Sequence, residues 1–128
     1  MKPVDQDRFD SPHGNCVQAA IASILELPLD MVPVLPGGDL ITLNRWLKQR
    51  QLGFFWLDAE ADFVPDVPFC LARGVSPRGL KHAIVCNFRG EMVHDPHPSR
   101  AGVEKILQYG YFVSLAPERV VDPAPPRI

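Results

Sequence analysis

At 128 residues, with 46% hydrophobic and 22% charged side chains, the chain has the size and balance of one globular domain that buries its own core. A net charge of −2 removes the electrostatic case for nucleic acid or an anionic membrane as partner, and no apolar run approaches the length of a membrane span. The first residues lack the apolar core of a signal peptide, so the expected compartment is the cytoplasm. Cys16, Cys70 and Cys86 are odd in number and form no CxxC pair, so neither a disulfide framework nor a thiol-rich zinc site is suggested.

In chain order, residues 1 to 13 are polar and read as an extended lead-in closed by a turn at Ser11-Pro12-His13-Gly14. A helix is expected from Cys16 to about Leu27. Asn15 is a favoured N-cap residue, and Val17, Ala20, Ile21, Ile24 and Leu25 repeat at helical spacing. Cys16 thereby falls in the first turn, where unpaired N–H groups and the helix dipole stabilise a thiolate, the reactive form of cysteine. Pro28 ends this helix, and Pro36-Gly37-Gly38 is a clear break. Asp39 then caps a second helix whose Leu40, Leu43, Trp46 and Leu47 make an amphipathic stripe, with Gly53 expected to end it.

Beyond that the period changes. Phe54 to Leu57 reads as an aromatic strand, Asp58 to Asp66 as an acidic loop or edge, and Pro68 to Val75 as a strand closed by a turn at Ser76-Pro77-Arg78-Gly79. His82 to Phe88 and Glu91 to Asp95 form a hairpin turning at Arg89-Gly90, and Tyr109 to Leu115 is the last strand. Residues 117–128 are a proline-rich tail, so 1–116 is the expected domain. Helices first and strands later predict an α+β fold in which the Cys16 helix packs on an antiparallel sheet.

A two-residue turn pairs Phe88 with Glu91 and, counting back, Ile84 with Asp95. His82 then shares a face with Asp95 as its diagonal neighbour, within hydrogen-bonding reach, on a face looking toward the Cys16 helix. A three-residue turn would put the two on opposite faces. Each residue alone has a plainer reading: cysteine as a small buried hydrophobe, histidine as an ordinary strand residue, Asp95-Pro96 as a turn. Together they spell a nucleophile, a base and an orienting carboxylate. His94 and His97 have ligand-like spacing, but no further ligand pair has zinc-like spacing, so no metal is expected.

The pattern Gly-Asn-Cys-x-x-Ala before a small-residue helix, then His-Ala-Ile-Val on a strand and Asp-Pro after the next, resembles the papain-like cysteine peptidase superfamily. Within it the chain is most similar to the small bacterial domains that remove double-glycine leader peptides, and to proteins of bacteria and their phages. The resemblance covers about residues 6 to 115. It implies a papain-like fold, Cys16 as nucleophile, His82 as base, Asp95 as the residue orienting His82, and no cofactor. It also implies a peptide or protein substrate, and Gln6 as the side-chain amide of the oxyanion hole. In that family the glutamine stands about six residues before the cysteine and a glycine follows it; here Gln6 is ten ahead and Val17 follows. The same triad serves deamidases, amidases and acyltransferases. The reading is an amide-bond hydrolase; the alternative is a non-catalytic module that keeps the fold and grips a peptide or protein in a cleft around Trp56 and the Gly74 to Gly79 loop.

Overall fold

The computed structural model describes residues 1–9, 14–62 and 65–116; the turn expected around Pro12 and the tail expected over 117–128 lie outside them. The described residues form two α-helices and a five-stranded sheet, an α+β arrangement. Helix α1 spans Cys16–Leu25 and α2 spans Leu40–Lys48. The strands are β1 (Leu52–Asp58), β2 (Phe69–Val75), β3 (Lys81–Asn87), β4 (Met92–His94) and β5 (Lys105–Ser114). Their order is β1-β5-β2-β3-β4 with every neighbour antiparallel, so the last strand is inserted between the first two.

Both helices lie on one face. Ala20, Ile21 and Ala22 of α1 and Leu43 and Leu47 of α2 close over Phe54, Leu71 and Val85, which burial of apolar area holds together. The small residues of α1 are fully buried and let the helix sit close to β2 and β3. On the opposite face Cys70, Ala72, Ile84, Cys86 and Tyr111 make a second cluster. Among the described residues no helix is long and apolar enough to cross a membrane.

Several boundaries differ from expectation. Helix α1 stops at Leu25 because Glu26 turns left-handed at φ 59° and sends its N–H back to Ala22 and Ser23. Helix α2 begins as expected, with Asp39 Oδ1 accepting from the N–H groups of Ile41 and Thr42 at 3.0 and 3.2 Å. It ends at Lys48, well before Gly53: Gln51 at φ 58° supplies the reversal, and Gly53 lies inside β1 opposite Val113. Strand β5 starts four residues early, at Lys105, because it has a partner on both sides and pairs from its first residue with Val75. A side chain at Gly74 would collide with this pairing, since its Cβ would stand 1.9 Å from the Lys105 carbonyl oxygen.

Candidate active site

Cys16 is the first residue of α1 and is half-buried. Asn15 stands at the cap position but does not cap. Its Oδ1 accepts instead from the N–H groups of Asp7 and Arg8 at 3.2 and 3.0 Å, and its Nδ2 donates to Asp7 Oδ1 at 2.8 Å. The consequence is that no side chain among the described residues caps the N–H groups of the first turn, while the N-terminal segment is stapled against the helix start. Gln6 is delivered by that staple. Its backbone N–H donates to Pro96 O at 3.1 Å, its Nε2 donates to Arg8 O at 2.8 Å, and the same Arg8 carbonyl accepts from Asn15 N at 3.2 Å. The ten-residue spacing therefore does not carry Gln6 away: one shared carbonyl separates its amide from the helix start. Its Oε1 is buried with no hydrogen-bond partner among the described residues.

The β3–β4 hairpin brings His82 to Asp95 by a route that differs from the expected one. The loop has three residues, Phe88-Arg89-Gly90, between Asn87 and Glu91, and Gly90 at φ 78° closes it. That shifts the pairing by one, to Cys86 opposite Met92. An irregularity then adds a residue on the β4 side, so Val85 pairs with His94 and the count returns to the expected register. His82 Nε2–H donates to Asp95 Oδ1 at 2.6 Å. Ile84, two residues on, packs on the face away from α1; it is the His82 ring, at the start of β3, and not the face as a whole, that lies near enough to Cys16 to feel its thiol.

Both partners are buried, His82 at 4% and Asp95 at 1% exposed, so the pair is shielded from water. Burial raises the Asp95 carboxyl's proton affinity, but the hydrogen bond from His82 and those from the backbone N–H of His97 (2.9 Å) and Gly102 (2.7 Å) prevail, and its pKa falls to about 2. The bond from His97 is the turn that Asp-Pro promises, so this carboxylate makes the turn and holds the histidine. Burial likewise opposes a charged His82, but the bond to Asp95 and the contact with the Cys16 thiol outweigh it and lift its pKa to about 9. With Nε2 taken by Asp95, Nδ1 is the nitrogen left for the sulfur. Cys70 and Cys86 are buried in the sheet, and burial pushes their thiols up to about 11 and about 12.

Two features escape the sequence pattern. Arg73 of β2 pairs with Ala83, the neighbour of His82, and its guanidinium lies 4.0 Å from the Trp56 ring centroid. Arg100 reaches Asp5 and also the carbonyls of Asp95 and His97, tying the loop after β4 to the N-terminal segment. Neither follows from spacing; each needs the strand register first. His94 and His97 take separate partners: His94 Nε2–H donates to Val4 O at 2.8 Å, and His97 Nδ1 accepts from Ser99 N–H at 3.0 Å. Among the described residues no cluster of three or more metal-ligating side chains occurs. No family model, no curated protein and no solved structure matches the chain.

Proposed function

We propose that the protein is a papain-like cysteine hydrolase that cleaves an amide bond in a peptide or protein. One observation carries the reading: a buried histidine anchored through Nε2 by a buried aspartate lies close enough to a cysteine at a helix start for the thiol to help raise its pKa. In the reaction, the neutral form of His82, the minor one at neutral pH, takes the Cys16 proton at Nδ1 as the sulfur attacks the substrate carbonyl. The C=O electron pair moves onto oxygen, where the Cys16 backbone N–H and the second Nε2 hydrogen of Gln6 receive it. Collapse of this adduct expels the amine, which takes the proton from His82, and leaves a thioester. Water then attacks the thioester and gives a proton to His82, and collapse of this second adduct releases the acid and the thiolate, which takes that proton back from His82. Asp95 keeps the ring in the tautomer that presents Nδ1 and stabilises its charged form.

An acylating activity-based probe tests this. Wild type should acylate at Cys16, His82→Ala should react far more slowly, and Cys16→Ala should not react. Equal labelling of wild type and His82→Ala would leave Cys16 a merely exposed thiol and pass the reading to a non-catalytic peptide- or protein-binding module.

A further inference from the structure

Beside the triad lies a cation that has no counter-ion among the described residues. Arg73 projects on the helix-bearing face, as shown by its stacking on Trp56, at the end of β2 aligned with the start of β3 and hence with His82. Its Nε donates to Gln108 Oε1 at 3.1 Å and Nη2 shares the same acceptor. Trp56 below and Gln108 at the side thus fix the plane of the guanidinium. No carboxylate among the described residues pairs with it. Its Nη1 has no acceptor among them, and faces Gly38, where even an added Cβ would remain at 3.7 Å, an ordinary contact. A half-buried guanidinium held by a neutral acceptor and an aromatic face is an arrangement that a carboxylate completes, by two parallel N–H···O bonds. Burial weakens its hold on its proton and the Cys16 sulfur acts in the opposite sense, while the pairing of Arg73 with Ala83, next to His82, sets it beside the triad.

We propose that Arg73 is the anchor of a substrate subsite beside the Cys16–His82 pair, and that it binds a carboxylate close to the scissile amide. The inference rests on the hydrolase reading and adds a substrate class to it: peptides with an acidic side chain, or a free terminal carboxylate, next to the bond cut.

Matched chloroacetyl probes that alkylate Cys16 decide this and separate the two sources. Chloroacetylglycine is compared with chloroacetylglycinamide for a terminal carboxylate, and the α-amide of chloroacetylglutamate with that of chloroacetylglutamine for an acidic side chain. In at least one pair the acid should alkylate Cys16 about tenfold faster than its neutral twin, the gain expected from one well-placed charged hydrogen bond. That ratio should fall to about one in Arg73→Met and Arg73→Gln, and stay unchanged in Arg89→Gln, which removes the same charge from the far hairpin loop. Equal rates within both pairs in wild type, or a ratio that survives both Arg73 substitutions, would overturn the proposal. If no probe alkylates Cys16, the hydrolase reading falls by itself. The subsite is then decided by titrating Cys16→Ala, Trp46→Phe protein with N-acetylglycinate and N-acetylglycinamide while following Trp56 fluorescence. A response to the acid alone sustains the subsite, and equal responses or none remove it.

Discussion

Replacing Asp95 by asparagine removes one charge from a place where water cannot substitute for it. The aspartate draws its strength from three donors, and an amide can satisfy only part of that set: whichever way it is turned, its NH2 faces an N–H, either that of Gly102 or those of His82 and His97. Seen from His82, whose pKa rises from 6.5 to about 9, the favourable interactions amount to about 3 kcal/mol; seen from Asp95, lowered from 3.8 to about 2, they amount to about 2 kcal/mol. The first figure includes Cys16 and the second the two backbone bonds, so the pair, counted once, contributes about 2–3 kcal/mol. The donor left without an acceptor adds about 1 kcal/mol at any pH. His82 gains proton affinity on folding, so its contribution is whole below about pH 6.5 and disappears as pH rises through about 9. Asp95 loses proton affinity, so its contribution is whole above about pH 4 and disappears as pH falls through about 2. Urea unfolding of wild type and Asp95→Asn should therefore differ most between pH 4 and 6.5, by about 3–4 kcal/mol, and by only about 1 kcal/mol at pH 10. NMR titration should show the His82 ring losing its proton near or below pH 6.5 in the variant. A gap at pH 10 as wide as that at pH 6, or a ring that still titrates near 9, would refute the account.

Limited alkylation with iodoacetamide at neutral pH should label Cys16 before Cys70 and Cys86, because the other two are buried and their thiols are pushed to about 11 and about 12; mass-spectrometric mapping checks the order. Gln6→Ala should lower the rate of probe acylation roughly 10²–10³-fold with the fold intact by circular dichroism, and no change in rate would remove Gln6 from the oxyanion hole. Asn15→Ala should lower that rate in the same direction, since it frees Asp7 and Arg8 and with them the Gln6 amide, and should cost only about 1 kcal/mol in chemical denaturation. Gly74→Ala should cost about 1–3 kcal/mol or more, because β2 and β5 must part to admit the methyl group; a denaturation midpoint like that of wild type would contradict the close approach.

Much of this architecture can be read from local chemistry, and its failures have identifiable causes. The Cys16 helix, the Asp39 cap and the strand runs follow from period and punctuation, which act between near neighbours. Asn15 shows the limit: its type favours a cap, but the carboxamide found two N–H groups seven and eight residues back, and a contact with another segment has no period. The hairpin is more instructive. Counting from a two-residue turn reaches the observed pairing of His82 with Asp95 only because two departures, the longer loop and the irregularity in β4, cancel. Parity was preserved by compensation, which no reading of turn residues alone anticipates. Arg73 is invisible for a related reason, since nothing in its own strand distinguishes it until β3 and β1 are laid beside it.

The first eight residues belong to no helix or strand, yet they reach across both halves of the site. Lys2 and Val4 bond Ser23 in the body of α1, Asp7 and Arg8 bond Asn15 at its start, Gln6 bonds Pro96, and Asp5 and Val4 meet Arg100 and His94. None of these bonds is a rung of the sheet. The segment's share of the helix-side core is limited to the partly buried Met1 and Val4, so it can detach as a unit at a lower free energy than the sheet. Detached, it takes Gln6 and the hold on the helix start with it, and leaves Cys16, His82 and Asp95 behind. Rising denaturant should then extinguish acylation of Cys16 before it disturbs the sheet, with amide exchange of residues 4–8 quickening over the same range. On the hydrolase reading, undoing this clasp is expected to stop acylation while the sheet stays folded.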